Sequence, residues 1–226
     1  MRRMIGALLV MIIGVSFAVS GCGPSKAELA AQEAARRDRE AFDTAKEAYT
    51  ALCEAADETI ALIDDIYESW LFGIYDADEC TSSTIVSTLA KEIGVSVGAM
   101  EDAVESYATS MEVDADTVKY VMINGAGSSS AWQYCLHVTQ QIYKDDGTID
   151  NINSKIQSAN AALKTMTSDF DDYKHYPILK DFYSKVSSYA SFAQELGVSF
   201  EQLKNTITDY ENSIRTYKSD LSFVFD

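Results

Sequence analysis

Residues 42–70 read FDTAKEAYTALCEAADETIALIDDIYESW, and the apolar side chains among them recur every three or four positions. This spacing places them on one face of an α-helix, with acids such as Glu54 and Asp57 mostly off that face. The apolar positions are Phe42, Ala45, Tyr49, Leu52, Ala56, Ile60, Ile63, Tyr67 and Trp70. The pattern therefore predicts one long N-terminal helix that ends near Tyr75.

The remainder of the chain repeats this helical pattern. Further stripes with the same spacing begin at Ile85, Met100, Ile149, Phe182 and Leu203. No stretch keeps the two-residue alternation of a half-buried strand. Asn-Gly-Ala-Gly-Ser-Ser-Ser at 124–130 and Asp-Asp-Gly-Thr at 145–148 predict breaks between helices. We therefore expect an all-α fold, an elongated helical bundle with a long N-terminal helix.

Helix starts can also be predicted from the sequence. Thr148 or Asp150 is expected to cap the helix that follows the second break. Pro177 is expected in the first turn of another helix, where its missing N–H costs nothing.

Two segments of the chain carry related sequences. Residues 89–107 read LAKEIGVSVGAMEDAVESY, and residues 192–210 read FAQELGVSFEQLKNTITDY. In each, a glycine (Gly94 or Gly197) suits the position just past a helix end, and a serine two residues later suits the cap of the next helix. This echo favours a tandem duplication of a three-helix unit. The alternative is a recurring helix–corner–helix motif without shared ancestry.

The first residues have the three parts of an export signal. Arg2 and Arg3 precede an apolar run from Met4 to Ala18, which falls short of the roughly 17 residues that a bilayer-spanning helix needs. Val19-Ser20-Gly21-Cys22 follows, and it is similar to the lipobox of bacterial lipoproteins. The resemblance implies cleavage before Cys22 and a thioether-linked diacylglycerol on that cysteine, so that acyl chains such as palmitate hold the protein stably on a membrane. An ordinary cleaved signal that leaves Cys22 free is the alternative.

These features predict the organisation of the whole chain. We expect a signal peptide at 1–21 and an anchor with a stalk-like helix start at 22–44. Helical unit one would span 45–111, connecting helices and loops 112–147, and helical unit two 148–226.

The charge of the chain excludes some partners. The chain has 35 acidic and 18 basic residues and a net charge of −17, and loss of residues 1–21 would remove Arg2 and Arg3 but no acid. Such a surface argues against nucleic acid, whose phosphates a partner must neutralise. It also repels anionic headgroups, so the body should stand away from the membrane that holds its anchor.

Three cysteines follow the lipobox: Cys53, Cys80 and Cys135. An odd number outside the cytoplasm implies an unpaired thiol or an intermolecular bond. Their spacing lacks the close pair of a metal site. Cys53 flanks the apolar stripe and is expected to be buried. A Cys53–Cys80 disulfide is not expected, since Cys53 would lie roughly 33 Å along the helix from the turn at Tyr75.

No catalytic, cofactor or metal site emerges from the sequence. The segment 144–150 resembles a calcium loop, but it lacks oxygen ligands at the required positions. His137 and Cys135 are two residues apart on a helix and would point to different faces. The glycines near 125–127 lack the lysine of a phosphate-binding loop, and no Gly-x-Ser-x-Gly motif occurs. We therefore expect a protein that is not an enzyme.

Aromatic residues supply the remaining candidates. The tyrosines of the second half favour a seam inside a bundle, although a stacking surface for a ligand is the other interpretation. Four residues at helix ends form the candidate contact surface, if they are exposed: Trp70, Phe72, Tyr75 and Trp132.

A second resemblance rests on the helix Ile60 to Trp70 and on Pro177-Ile178-Leu179-Lys180 with Tyr183. These segments are similar to uncharacterised helical lipoproteins of Gram-positive bacteria, a group that implies no activity. Together, these observations predict a lipoprotein on the extracytoplasmic face of the cell membrane, acting as a non-enzymatic interaction or structural module with a protein partner. The alternative is a lipoprotein that binds a saccharide or peptide between its helical units.

Overall fold

The computed structural model describes residues 25–125, 131–195 and 200–225 of the chain, which divides into two units, Met1–Glu40 and Ala41–Asp226. The described residues contain eight α-helices and no strand. The helices are α1 (Lys26–Tyr75), α2 (Ile85–Glu92), α3 (Val97–Ser110), α4 (Ala115–Asn124), α5 (Ala131–Asp145), α6 (Thr148–Asp169), α7 (Tyr176–Glu195) and α8 (Phe200–Phe225). The predicted all-α helical bundle with a long N-terminal helix is confirmed.

A capping box fixes the start of α1. The Ser25 N–H donates to Glu28 Oε2 at 2.7 Å, and the Glu28 N–H donates to Ser25 Oγ at 3.2 Å. These two bonds satisfy N–H groups that a helix start otherwise leaves without partners. Every residue from 25 to 40 is exposed, so this segment of the first unit buries no apolar face.

The second unit contains two hydrophobic cores. In the first core, the apolar face of α1 packs with α6, α7 and α8. Tyr49 of α1 lies 5.1 Å from Phe225 and 6.5 Å from Phe182, measured between ring centroids. The first core thus joins the long N-terminal helix to the C-terminal third of the chain.

The second core is formed mainly by α2, α3, α4 and α5. A short 3-10 turn (Ala77–Glu79) follows α1 and packs against α4, while α3 and α4 both pack against α5. Phe72 near the end of α1 and Ala77 of the turn are buried in this core. The chain therefore leaves the first core at the end of α1, builds the second core, and returns to the first core at α6.

Helices α1 and α5 meet where the two cores adjoin. The rings of Trp70 and Trp132 stack with centroids 4.3 Å apart and planes 8° from parallel. One turn away, Gly73 faces the backbone of Trp132 so closely that an added Cβ would overlap Trp132 Cα. The hydroxyls of Ser69 and Thr139 are 2.6 Å apart and satisfy each other in this buried contact.

The predicted corner at Gly94 is confirmed. Gly94 has φ +73°, and the Val95 N–H donates to the Ala90 carbonyl at 2.9 Å, which closes α2 in a Schellman motif. Ser96 then caps α3, since its Oγ accepts from the Ala99 N–H at 3.1 Å. The second copy of the motif, at Gly197 and Ser199, lies outside the described residues.

A similar corner joins α3 to α4 without a glycine. Glu112 has φ 57°, and the Val113 N–H donates to the Ala108 carbonyl at 3.0 Å. Asp114 caps α4, because its Oδ1 accepts from the Thr117 N–H at 2.6 Å. The sequence pattern did not reveal this corner, because glutamate rarely adopts the left-handed conformation.

The break at 145–148 lies where it was predicted, but the predicted cap was wrong. Thr148 is the first residue of α6, and Gly147, with φ +80°, holds the capping position without a side chain. Asp146 Oδ1 accepts from the Thr148 N–H at 2.8 Å instead. Pro177 lies in the first turn of α7, as predicted.

The two cores group the helices differently from the predicted units. Residues 45–70 of predicted unit one share a core with 148–225, whereas 85–108 pack with α5 of the predicted connecting segment. The proposed duplication and its boundaries at 45–111 and 148–226 stay a prediction about ancestry. In the described residues, each core draws on segments from more than one of the predicted ranges.

Candidate functional site

The anchor candidate Cys22 lies outside the described residues, but the helix that follows it is described. Arg36, in the exposed first part of this helix, contacts acids of the same helix. Its guanidinium lies 2.5 Å from Glu33 Oε1 and 2.7 Å from Glu40 Oε1, and all three side chains are exposed. Such pairs are typical of a solvated helix face. The charge of Arg36 is therefore already paired with acids of the protein.

Two of the four predicted contact residues are buried. Trp70 and Phe72 are each only 2% exposed, Trp70 in the first core and Phe72 in the second. The expectation that they form an outer surface is therefore wrong, because each fills a core at the end of α1. Trp132 is half-buried against Trp70, and Tyr75 alone is largely exposed, at 66%.

The large apolar side chains that are exposed concentrate in the middle of the chain. Of the eight such residues in the described ranges, Leu29 and Phe223 lie outside residues 74–120. The other six, which we call the exposed apolar set, are Ile74, Tyr75, Val97, Met111, Val113 and Tyr120. All six lie on segments that build the second core.

Most of this set was missed by the sequence reasoning. By its spacing, Met111 continues the predicted stripe that begins at Met100, but it is the C-terminal cap of α3 and is 47% exposed. Val113 follows in the corner, and Tyr120 lies on the outer side of α4, whose Val118 and Met122 are buried. A signal was available in the sequence. Tyr120 is two positions from both Val118 and Met122, so a single face of α4 could not bury all three side chains.

The tyrosines of the second half form a seam, as predicted. Tyr189 is fully buried and stacks on Tyr210 with centroids 4.8 Å apart. Tyr217 stacks on Phe182 at 5.7 Å, and Tyr176 bonds to the hydroxyl of Thr167. These rings fill the packing among α6, α7 and α8.

Two tyrosine hydroxyls bond to acids, one on α1 and one on α8. The Tyr143 hydroxyl donates to Asp65 Oδ2, and the Tyr189 hydroxyl donates to Glu211 Oε1 at 3.4 Å. Burial, together with the neighbouring acids Glu68 and Asp64, raises the pKa of Asp65 to about 6. Burial and the charge of Asp64 also raise the pKa of Glu211. Burial is the first cause for both carboxyls, so packing accounts for their raised pKa values.

Two open grooves flank α1. One, of about 450 Å³, runs between α1 and α6, where Lys155 Nζ lies 2.5 Å from Glu58 Oε1 and 3.4 Å from Glu54 Oε2. The other, of about 490 Å³, runs between α1 and α8, where Lys218 Nζ lies 2.7 Å from Asp57 Oδ1. Both lysines already bind acids of the protein, so neither offers an uncompensated charge to a ligand.

Among the described residues, the sequence candidates for chemistry are not assembled into a site. Burial raises the pKa of the Cys135 thiol to about 12, which leaves it protonated at neutral pH. His137, two residues on, bonds to Gln140 Oε1 at 3.2 Å and stacks on Tyr107. Within the ranges that the structure covers, no group of three His, Cys, Asp or Glu residues could hold a metal ion.

No described helix is both long enough and apolar enough to cross a bilayer. No protein-family model, curated protein or solved structure matches the chain.

Proposed function

We propose that this protein is an extracytoplasmic lipoprotein, tethered to the cell membrane through lipid on Cys22, that acts by contact with a protein partner or as a structural module. The tether is supported by Val19-Ser20-Gly21-Cys22 after a short apolar run. The contact role is supported by one observation above all, the concentration of exposed large apolar residues between 74 and 120.

That concentration needs an explanation because the other large apolar side chains of the described residues are mostly buried or half-buried. Single exposed apolar side chains are ordinary on a protein surface, but six of them on the segments that build one small core favour an interaction site there. Every buried side-chain nitrogen or oxygen of the described residues has a hydrogen-bond partner, so no buried polar atom there awaits a ligand. The outer side of the second-core segments is therefore the best-supported contact region.

The charge of the protein limits the partner. With a net charge of −17, the chain would repel an acidic surface at the rim of any contact. A protein with an apolar centre and a neutral or basic rim would match the exposed apolar set. Nucleic acid does not fit this description.

The tether can be tested by replacing Cys22 with alanine. We expect wild-type protein to sediment with membranes and to incorporate an alkyne-tagged palmitate, because two acyl chains give stable anchoring. Cys22→Ala should lose the label and leave the membrane fraction. Cys53→Ala is the matched control and should keep both properties. Equal labelling of wild type and Cys22→Ala would overturn the proposed tether.

The contact role can be tested by site-specific photo-crosslinking in intact cells. A photoreactive phenylalanine analogue at Tyr75 or Tyr120 should trap a discrete cross-linked product. The same analogue at Phe223, which is 89% exposed on α8, is the matched control and should trap none. Identical products from all three positions, or none from any, would contradict a contact site on the exposed apolar set.

Ligand binding is the second candidate, and the groove between α1 and α8 favours it. Tyr49, Ile60 and Ile214 give this groove an apolar floor, and Arg215 lies at its edge. The groove also runs between segments assigned to the two predicted units. A saccharide or peptide that raises the melting temperature of the wild type, but not of Arg215→Ala, would support this candidate.

A further inference from the structure

The described part of the first unit is a helical segment that lies outside both cores. Every residue from 25 to 40 is exposed, whereas the described residues of the two cores all lie at or after Phe42. Leu29, the largest apolar side chain of this segment, is 51% exposed. The segment is held as a helix by its own backbone bonds, by the capping box at Ser25 and by surface ion pairs such as Arg36–Glu40.

Arginines are concentrated in the same segment. The chain has six arginines, of which two stand at 2–3, three at 36, 37 and 39, and one at Arg215 on α8. The lysines, in contrast, are spread along the chain from Lys26 to Lys218. Residues 36–39 therefore present three guanidinium groups within four positions to any enzyme that recognises arginine.

The helix can unwind at residues 36–39 at little cost. A protease cuts a helix only through a locally opened form, and its rate follows the population of that form. Opening of residues 36–39 removes no side chain from a core, and an exposed pair such as Glu33–Arg36 adds little stability. A helical segment without tertiary packing is only marginally stable in water.

Arg215 is also exposed, but its surroundings differ. Its neighbour Ile214 is 1% exposed and belongs to the first core, so unwinding of α8 there would pull this side chain into water. The open form is therefore much less populated at Arg215 than at residues 36–39. The two places compare an arginine in an unpacked helix with an arginine in a packed one.

We propose that residues 36–39 are a cleavage site for an arginine-specific serine protease outside the cell, which releases the folded second unit from the lipid anchor. The specificity pocket of such an enzyme holds a carboxylate that pairs with the arginine guanidinium. A cut after any of the three arginines leaves residues 41–226 in one piece, with every described residue of both cores. The cleavage thus removes the anchor and spares the packing.

The reaction is the hydrolysis of one peptide bond. The protease serine attacks the arginine carbonyl carbon, the C–N bond breaks, and the amine of the next residue leaves with the proton of the serine hydroxyl. Water then attacks the acyl-enzyme, which frees the arginine carboxylate and returns a proton to the serine. One water molecule is consumed, and the protease is regenerated without any further co-reactant.

The release rests on the proposed tether, whereas the cleavage site does not. Purified protein therefore tests the site alone. Membranes that carry the anchored protein test the release.

The first test treats the purified full chain, in mild detergent, with an arginine-specific protease and follows intact mass. We expect a fragment that begins at Arg37, Asp38 or Glu40, while the bond after Arg215 survives roughly 100-fold longer. This fragment should keep the melting temperature of the full chain. Glutamine at all three arginines of residues 36–39 should abolish the fragment. Lys26→Gln, which removes another exposed cation of the segment, is the matched control and should be cut at the wild-type rate.

A second variant tests whether local unwinding limits the rate. Ala34→Gly weakens the helix at an exposed position and should speed the cut about fivefold. Cutting at the wild-type rate would overturn the role of unwinding. Equal rates at Arg215 and at residues 36–39, resistance of residues 36–39, or a fragment that melts below the full chain would overturn the site.

The membrane test uses protein labelled with alkyne-tagged palmitate. The same protease should move the second unit into the supernatant and leave the label in the membrane. A cut at residues 36–39 with the label on the released fragment would support the site and contradict lipid on Cys22. In untreated cultures, second unit recovered from the medium should begin at Arg37, Asp38 or Glu40. Its absence from the medium would overturn release by a protease of the cell.

Discussion

The fold disfavours the charged form of the Asp65 carboxyl. It lies half-buried on α1, where the Tyr143 hydroxyl donates to it and the acids Glu68 and Asp64 stand nearby. Burial is the larger cause and the neighbouring charges the smaller, and together they raise its pKa to about 6. An unfolded aspartate titrates near 3.9, so the folded protein binds this proton more tightly than the unfolded chain.

The stability that this proton supplies has a defined pH window. It is fully present below about pH 4 and is lost as the pH rises through about 6. Asp65→Asn removes the charge and keeps an acceptor for Tyr143. After allowance for solvent screening, we expect this variant to exceed the wild type by about 1 kcal/mol in free energy of unfolding at pH 8. Urea titrations at several pH values should show the difference closing between about pH 7 and about pH 4.

An exposed aspartate of α3, Asp102, provides the control. Asp102→Asn should change the free energy of unfolding by less than about 0.5 kcal/mol at any of these pH values. If Asp65→Asn proved no more stable than the wild type at pH 8, the burial of a charged carboxylate at this position would be disproved.

Helices α1 and α5 approach each other closely because Gly73 lacks a side chain. A Cβ at this position would overlap Cα of Trp132 and lie 3.0 Å from its Cβ and N, atoms that cannot move aside as a flexible side chain can. The stacked pair Trp70–Trp132 and the bond between Ser69 and Thr139 depend on the same approach. The two helices therefore have one favourable register here.

Gly73→Ala should force α1 and α5 apart. We expect it to lower the free energy of unfolding by about 2 kcal/mol, since overpacking outweighs the gain in helix propensity. Gly98→Ala is the control, because nothing lies within 4 Å of an added Cβ at that position of α3. It should be neutral or stabilising by up to about 1 kcal/mol. Chemical denaturation of both variants under identical conditions would test the difference, and equal effects would refute it.

At this scale, much of the fold could be predicted from the sequence. The apolar spacing of residues 42–70 predicted α1, and the glycine and serine at 94 and 96 predicted the α2–α3 corner, because these signals are local. The partners of each face could not be predicted, because the stripe of α1 suits any apolar surface. Phe72 was misjudged for the same reason, since its burial depends on where the second core folds back.

The candidate contact region was harder to predict than the helices. Met111 fits the stripe of α3 by spacing, yet α3 ends at Ser110 and leaves Met111 in the corner. A helix end is set by the backbone of the following residues, here by Glu112 in the left-handed conformation. Sequence spacing alone does not contain that information.

Across residues 41–225, the two cores share two helices. Helix α1 contributes Trp70 to the first core and Phe72 to the second, and α5 contributes Leu136 to the first and Cys135 to the second. Neither core can lose its packing without disturbing a helix of the other. The described body of this unit should therefore unfold cooperatively.

The two tryptophans of the chain report directly on the place where the cores adjoin. We expect the thermal transition followed by tryptophan emission to coincide with the one followed by far-UV circular dichroism, which averages over all helices. Trp132→Phe, which preserves an aromatic ring beside Trp70, should keep the two transitions coincident at a lower temperature. Two separated transitions in the wild type would show that the cores unfold independently.

Glu112 has a consequence for how this sequence can change. Its φ of 57° lies in a region where side chains are strained and glycine is not. Either glutamate codon becomes a glycine codon by substitution of its middle base alone. A single point mutation would therefore place glycine at the α3–α4 corner and relieve the backbone strain there.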